Sequence, residues 1–288
     1  PAVLLTIAFV ESTFGAWHIQ GGVGQLSVAL EQRCIELGVN FKFNTLVKEI
    51  LIENNKTIGI KTIDGVEIKS DLVVANSDAE YIYNQLISKN VSAARSERRK
   101  LKLATKSLSG FSLLLGLDNS KGKAVSIDHH NVYFPSNYDS EFDDVFTKQI
   151  PVKDPTIYIC APKDPLMTKG ENKEAWFVLV NAPRHQVDGG WDWRHGGAEY
   201  AQKIIQKLDH LGLNVSPRLD FMKYRTPADL ENYAMAPGGS IYGSSSNSPI
   251  SAFLRTKNRS KIKGLFCVGG SSHPGGGLPL VGISAEIV

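Results

Sequence analysis

A run of glycines near the end of the chain places the strongest constraint on its fold. Residues 269–279 are Gly-Gly-Ser-Ser-His-Pro-Gly-Gly-Gly-Leu-Pro, and they follow the apolar segment 264–268. Because glycine lacks a Cβ, this backbone can approach a ligand closely, and a helix opening after Pro279 offers free N–H groups and a positive dipole. A simple turn between a strand and a helix needs one or two glycines rather than five. The stretch predicts a loop that contacts a phosphate or a polarisable ring.

The same stretch lies in the longest segment without Asp, Glu, Lys or Arg, residues 264–285. By length alone this segment could form a membrane-spanning helix, which needs about 20 apolar residues. Seven glycines and two prolines argue against such a helix, since irregular backbone exposed to lipid leaves polar groups unsatisfied. We therefore expect a buried strand, a loop and a helix start. The apolar segment 2–10 has no basic flank or small-residue cleavage site, so no signal peptide is expected there.

Composition describes a folded globular protein. The chain has 288 residues, of which 42% are hydrophobic and 21% are charged. This length suggests about two domains. Its 32 Lys and Arg against 29 Asp and Glu give a net charge of only +3, so nothing electrostatic points to nucleic acid as a partner. Cys34, Cys160 and Cys267 are far apart and form no CxxC motif. This pattern predicts neither a disulfide framework nor a zinc site, and it fits a reducing, intracellular setting.

Hydrophobic periodicity predicts the first elements. Apolar residues at helical spacing indicate a helix over Gln25–Leu37, with Gly38 as its C-terminal cap. Residues 47–60 resemble two short strands around an Asn-Asn-Lys turn. Residues 71–75, Asp-Leu-Val-Val-Ala, predict a strand buried on both faces. Residues 79–102 are rich in Arg and Lys and predict one or two surface helices, whose basic side chains form either a solvated face or a patch for anionic lipid headgroups.

The middle of the chain predicts a second kind of structure. Strand-like runs at 107–117, 131–134, 156–160 and 175–181, without a strong helical pattern between them, indicate a mostly antiparallel sheet inserted between outer segments. A helix over Gly197–Leu211 follows the sheet runs, and then come a strand at 219–224 and a short helix opened by Thr226 and Pro227.

Two further motifs argue against common sites. Gly22-Val23-Gly24 precedes a helix, but Ser27 replaces the third glycine of a dinucleotide-binding fingerprint and no apolar strand precedes it. His129, His130 and His273 have no carboxylate or cysteine at ligand spacing, so no metal site is expected.

Residues 264–281 as a whole closely resemble the C-terminal flavin motif of the bacterial phytoene desaturase family, FAD-dependent carotenoid oxidoreductases. The opening residues 14–22 and the segment 36–50 look like the same family's central region. Residues 129–134 and 154–158 are similar to its branch of hydroxycarotenoid desaturases and diapocarotenoid oxygenases. The resemblance follows essentially the whole chain in order.

The resemblance implies an α/β fold, α+β overall: part of an FAD-binding doubly wound Rossmann-like domain, with an inserted and mostly antiparallel substrate domain. We expect residues 21–80 and 256–288 in the FAD-binding part, and residues 1–20 and 81–255 mainly in the substrate part. The family's N-terminal dinucleotide-binding unit is not in this sequence and both ends look cut, so we expect a fragment that alone is inactive and holds FAD weakly.

The resemblance also assigns cofactor contacts residue by residue. Val47 matches a position facing adenine, and Asn76 lies in a strand-end loop near the cofactor. The remaining positions match the loop beside the pyrophosphate and ribityl chain and the helix start beneath the flavin: Gly269, Gly270 and Ser271, then Pro279, Leu280 and Val281. Because Gly270 and Ser271 provide no carboxylate for the ribityl hydroxyls, a neutral polar contact is expected there.

The activity implied by the resemblance is desaturation of a phytoene-like or hydroxylated carotenoid by hydride transfer to flavin. Two alternatives stay open: a carotenoid oxygenase or isomerase of the same family, and a non-catalytic carotenoid- or lipid-binding module. No catalytic residue is assigned, although His18 is a candidate base. The expected partners are a carotenoid polyene and a membrane surface, contacted peripherally from the cytoplasm, with oxygen or a quinone as electron acceptor and no nucleic acid.

Overall fold

A computed structural model describes residues 2–186, 189–245 and 255–288. Its helices and strands in chain order are α1 (Ala2–Phe14), α2 (Gly24–Glu36), β1 (Val47–Glu53), β2 (Lys56–Thr62), β3 (Glu67–Lys69), β4 (Val73–Ala75), α3 (Ala79–Tyr81), α4 (Arg95–Leu103), β5 (Ser109–Asp118), β6 (His130–Tyr133), α5 (Tyr138–Phe142), β7 (Ile157–Cys160), β8 (Lys173–Ala182), α6 (Gly197–His210), β9 (Leu219–Arg225), α7 (Pro227–Ala234), β10 (Leu265–Cys267) and α8 (Leu278–Glu286).

The larger sheet has five strands in the order β6-β7-β8-β5-β9, and every pair in it is antiparallel. Its longest ladder joins β5 to β8, from Ser109 opposite Ala182 to Asp118 opposite Lys173. Alternate side chains of β5 enter one core together with Trp176 and α6, because successive strand residues face opposite sides. The predicted antiparallel sheet and the predicted helix over 197–211 are confirmed.

A second core forms around two small sheets. The strands β1, β2 and β3 form an antiparallel sheet, and β4 pairs with β10 in parallel, from Val73 opposite Leu265 to Ala75 opposite Cys267. The predicted hairpin over 47–60 is confirmed. The prediction that residues 71–75 are buried on both faces is wrong, since Val74 is 56% exposed. Within the described residues, only one face of the β4–β10 pair packs against this second core.

The basic region after β4 contributes to the second core. It contains α3, a π-helical turn over Ile82–Leu86, a 3₁₀ turn and α4, and its apolar side chains pack with Leu265. Arg98 donates hydrogen bonds to the carbonyl oxygens of Tyr83 and Ile87, both at 2.7 Å. The guanidinium of Arg98 therefore stabilises the fold, rather than only forming part of a solvated basic face. The domain bounds expected from the resemblance stay a prediction.

The helix predicted over Gln25–Leu37 is confirmed as α2, and Gly38 ends it with a φ of +82°. Its apolar side chains are exposed in the described structure, including Leu30 at 57%. A loop, rather than a strand, precedes α2, which agrees with rejection of the dinucleotide-binding fingerprint. The segment 264–285 forms the expected strand, loop and helix start. None of the helices among the described residues has the length and apolar character needed to cross a bilayer.

Candidate functional site

Parallel pairing of β4 with β10 brings four predicted cofactor-binding residues to one sheet edge. Asn76 directly follows β4, and Gly269, Gly270 and Ser271 follow β10. The pairing extends past the strands, since the N–H of Val268 donates to the carbonyl of Ala75 at 3.0 Å. Ligands of open α/β sheets bind at the carboxyl ends of parallel strands. These four residues therefore lie where a nucleotide is expected in such a fold, although their contacts with FAD stay a prediction.

Gly269 permits the closest approach at this edge. Its φ is +94°, and a Cβ placed there would lie 2.2 Å from Oδ1 of Asn76. Glycine is thus required both by the backbone conformation and by the neighbouring side chain. At Gly276 a Cβ would lie 1.8 Å from the ring of Tyr242. The sequence predicted that the glycines of this loop leave room for a ligand. At Gly276 the room is taken by the side chain of Tyr242 instead.

A buried asparagine ties the loop to the strand and the helix. The side-chain amide of Asn258 donates to the carbonyl oxygens of Cys267 and His273, at 3.1 and 2.8 Å, and to Oγ of Ser284 at 2.9 Å. Ser284 Oγ also accepts from the N–H of Gly269 at 3.2 Å. This network orients β10, the glycine loop and α8 together. The only signal for it in the sequence was a serine within an apolar helix.

Two charged side chains that the sequence did not single out lie beside the loop. The guanidinium of Arg255 donates to the carbonyl oxygens of Gly270 and Tyr242, at 3.0 and 2.6 Å, and burial lowers its pKa. Asp78 lines a small cavity of about 290 Å³ together with Asn76, Gly270 and Ser271. Burial raises the pKa of Asp78, which weakens its tendency to carry a negative charge. A carboxyl group is therefore present near the position where only neutral contacts were expected.

The hydroxyl groups of the loop differ in their partners. Ser271 Oγ accepts a hydrogen bond from the N–H of Ala79 at 2.9 Å. Ser272 Oγ is buried and has no hydrogen-bond partner among the described residues. An unsatisfied buried hydroxyl costs free energy, so such a group calls for an additional partner. The features that suit the loop to a polar, phosphate-bearing cofactor are therefore the helix N-terminus and the glycine backbone.

The remaining predicted cofactor residues are more dispersed. Pro279 is exposed on the first turn of α8, and Leu280 and Val281 on the same turn are half-buried. Val47 begins β1, in the three-stranded sheet rather than at the β4–β10 edge. The structure brings Asn76 and the glycine loop together but places Val47 in another sheet. The roles assigned to these residues by resemblance stay predictions.

An open cleft of about 770 Å³ runs from the start of α8 to the larger sheet. It is lined by the segment 16–23 before α2 and by residues of β6, β7 and β8. Leu278, the first residue of α8, also lines it. Most of the lining is apolar, with side chains that include Trp17, Ile19 and Phe177. The cleft therefore connects the glycine-loop helix with the sheet that the sequence assigned to substrate.

His18 lies in this cleft and is held by a buried carboxylate. Its Nε2 lies 2.9 Å from Oδ2 of Asp164, which also accepts from the N–H of Gly21 at 2.6 Å. The hydrogen bond with His18, followed by those from backbone N–H groups, holds the pKa of Asp164 below its usual range. The imidazole of His129 lies edge-on to His18, with ring centroids 5.1 Å apart. Sequence spacing gave no sign of Asp164, because it is distant from His18 along the chain.

His129 belongs to a group of three side chains with ligand atoms close together. One ligand atom each from His129, His130 and Cys160 lies within 4.8 Å of the others. Burial, and then the neighbouring His130 and His18, lower the pKa of His129, while burial raises the pKa of the Cys160 thiol. The sequence shows no cysteine near these histidines along the chain. In the fold, however, antiparallel pairing places Cys160 opposite His130.

The first part of the chain matches a known protein family, and most of the chain superposes on a solved structure. Residues 4–104 match the family described as flavin containing amine oxidoreductase. The crystal structure of an oxidoreductase from Methanosarcina mazei superposes with a TM-score of 0.59 and 15% identity, over 93% of this chain and 54% of that chain. At this identity the likeness concerns the fold alone. The chain has a mixed helix-and-strand fold, which confirms the predicted fold class, and the family match supports FAD as cofactor.

The most informative sequence relatives are named as carotenoid enzymes. A 1-hydroxycarotenoid 3,4-desaturase from Flavobacterium sp. (strain P99-3) is 32% identical over 290 residues, covering 100% of this chain and 57% of the relative. A zeta-carotene-forming phytoene desaturase from Myxococcus xanthus is 34% identical, covering 100% of this chain and 54% of the relative. The chain thus spans about half the length of these curated relatives. The predicted resemblance to the phytoene desaturase family is confirmed along the whole chain.

Alanine in place of Gly269 tests the geometry of the loop. The variant combines strain at positive φ with a clash against Asn76, so we expect it to lower the free energy of unfolding by about 2 kcal/mol or more. Gly38→Ala is the matched control, since Gly38 has a φ of +82° and open space around its missing Cβ.

Removing the clashing partner separates the two contributions. In an Asn76→Ala background, the loss caused by Gly269→Ala should shrink towards the loss of the Gly38→Ala control, because only backbone strain remains. Urea denaturation of the single and double variants measures this coupling. Strictly additive losses would show that Gly269 and Asn76 do not meet as described.

Proposed function

We propose that the protein is an FAD-dependent oxidoreductase of carotenoid biosynthesis, which desaturates a phytoene-like or hydroxylated carotenoid. The observation that carries this proposal is the cleft, because its apolar walls meet the first residue of the helix that follows the glycine loop. A long apolar substrate in the cleft would thus reach the helix assigned to the flavin. Similarity to desaturases along the whole chain supports the same activity.

The loop residues fit the cofactor by their own chemistry. Asn76, Gly269, Gly270 and Ser271 would hold FAD at the strand edge, with the N-terminus of α8 beneath the flavin. Bound FAD supplies the acceptor for the hydride removed from the substrate.

Desaturation removes a hydride from one carbon and a proton from the adjacent carbon, and the electron pair of that second C–H bond forms the new double bond. Trp17, Ile19 and Phe177 bind the apolar chain and exclude water. His18 lies in the same cleft, and its Nε2 is engaged by Asp164, which leaves Nδ1 to take the proton. Asp164 stabilises the imidazolium that results.

Reduction of flavin by carotenoid tests the proposal. With the full-length, FAD-loaded protein in the absence of oxygen, adding phytoene or a hydroxylated carotenoid should bleach the absorbance of oxidised flavin. Ile19→Lys places a charge in the cleft, so more carotenoid should be needed to bleach the flavin. The flavin content of the variant should be unchanged. Val39→Lys, an exposed position that is not among the cleft-lining residues, is the control. An FAD-loaded protein that no carotenoid bleaches would support the non-catalytic alternative.

The same assay assigns the proton acceptor. His18→Gln should slow flavin reduction by about 100-fold or more, without changing the carotenoid concentration for half-maximal rate. An unchanged rate would remove His18 from the reaction.

Product analysis distinguishes desaturation from oxygenation. The oxygenase alternative is supported by 28% identity over 292 residues to a 4,4'-diapolycopene oxygenase from Methylomonas sp. Oxygen-labelled product formed under labelled O₂ would identify the oxygenase.

The proposed protein is cytoplasmic, contacts the membrane peripherally and passes electrons to oxygen or a quinone. Of these, the membrane contact is supported by the insolubility of a polyene in water. The helix α4 and its basic residues supply one candidate surface, and Leu103 at the end of α4 is 75% exposed. Cations beside an exposed apolar side chain suit an anionic lipid surface.

Vesicle binding tests this membrane surface. Replacing Arg95, Arg99 and Lys102 together by Gln should weaken binding to phosphatidylserine-containing vesicles by on the order of tenfold or more. The control replaces three exposed lysines elsewhere, Lys42, Lys69 and Lys123. Equal losses in the two triple variants, measured by co-sedimentation, would show a general charge effect rather than a docking surface on α4.

A further inference from the structure

We propose that His129, His130 and Cys160 form a binding site for a borderline-soft divalent cation of the Zn²⁺ type in the wall of the cleft. The three ligand atoms lie within 4.8 Å of one another. Small rotations of the side chains would bring them to the spacing of ligands around one ion, since Zn–N and Zn–S distances are about 2.0–2.3 Å. This proposal does not depend on the flavin chemistry.

Pairing of β6 with β7 fixes the backbone of the site. His130 lies directly opposite Cys160, and the N–H of Ala161 donates to the carbonyl of His129 at 2.8 Å. All three ligands therefore come from paired strands or the residue beside them, rather than from independent loops. Ligands on a rigid sheet lose little entropy when an ion binds, and they hold their relative positions without it.

Groups around the ligands resemble those that support metal sites. Nδ1 of His130 lies 2.8 Å from the hydroxyl of Tyr158. A hydrogen bond of this kind orients a metal-bound imidazole. The ring of His129 lies 4.4 Å from that of His130 and 5.1 Å from that of His18, measured between centroids. The imidazoles are thus positioned by contacts from β7 and from the segment before α2.

The donor set determines which cations fit. Two imidazoles and one thiolate suit Zn²⁺, Co²⁺ or copper, whereas Mg²⁺ and Ca²⁺ require oxygen ligands. Three protein ligands leave a coordination position open, as in reactive rather than structural zinc sites. All three residues line the cleft, so that position is accessible to water or to an oxygen-bearing group of a molecule in the cleft.

Titration with Co²⁺ tests the site. The purified full chain is treated with a chelator, dialysed and titrated with Co²⁺, which should give a thiolate-to-Co²⁺ charge-transfer band at one ion per chain. Zn²⁺ should abolish the band by competition. Cys160→Ser should remove the band and weaken Zn²⁺ binding by roughly 100-fold, and Tyr158→Phe should weaken it by about tenfold. Cys34→Ser, at another partly exposed thiol, is the control and should leave both unchanged.

A second variant tests the site if the first one is unstable. If Cys160→Ser does not fold, His130→Gln provides a second test, since His130 is exposed and its loss should weaken Zn²⁺ binding without unfolding the chain. Thermal unfolding of each variant without metal verifies its structure. A Co²⁺ band that persists in Cys160→Ser, disappears in Cys34→Ser, or is absent from the unmodified chain would overturn the site.

Discussion

The parallel pairing of β4 with β10 is the interaction on which the candidate site depends. Val73 and Leu265 are neighbours in this pair although the whole of the larger sheet lies between them in the chain. Without the pairing, Asn76 and the glycine loop would have no common edge. Asn258 reinforces it, because one buried amide hydrogen-bonds to β10, to the loop and to α8. Loss of this amide would remove hydrogen bonds to three elements at once, and buried acceptors that lose a partner cost free energy.

In the larger sheet, the pairing of β6 with β7 likewise brings together residues that are distant in sequence. The β6–β7 ladder brings His130 opposite Cys160, and the cleft places both residues near the segment before α2. That segment contributes His18, which reaches Asp164 in the connection between β7 and β8. The cleft is therefore built from parts of the chain that are distant in sequence, and some of its polar groups are held by hydrogen bonds between those parts.

Sequence alone predicted much of the local structure. Periodicity located α2 and α6, turn residues located the β1–β2 hairpin, and the run of glycines located the loop between β10 and α8. The sequence could not identify Asn258, Arg255 or Asp164, because the partners of each residue are brought near only by the tertiary structure. The burial of residues 71–75 was overestimated for a related reason: β-branched residues favour strands, but whether the second face is covered depends on what packs there. Cys160 is remote from His130 along the chain, and spacing carried no information about strand pairing.

The two candidate binding regions, the glycine loop and the cleft, differ in chemistry and meet at the first turn of α8. The glycine loop offers backbone N–H groups, the buried guanidinium of Arg255 bonded to Gly270, and a carboxyl at Asp78 whose raised pKa reduces repulsion of an anionic group. The cleft offers apolar walls with imidazole and thiol groups set into them. Leu278 opens α8 and lines the cleft, so a polar group held by the loop and an apolar group held by the cleft would approach each other there. The proposed function places a charged cofactor beside a water-insoluble substrate, and the N-terminus of α8 would form the boundary between them.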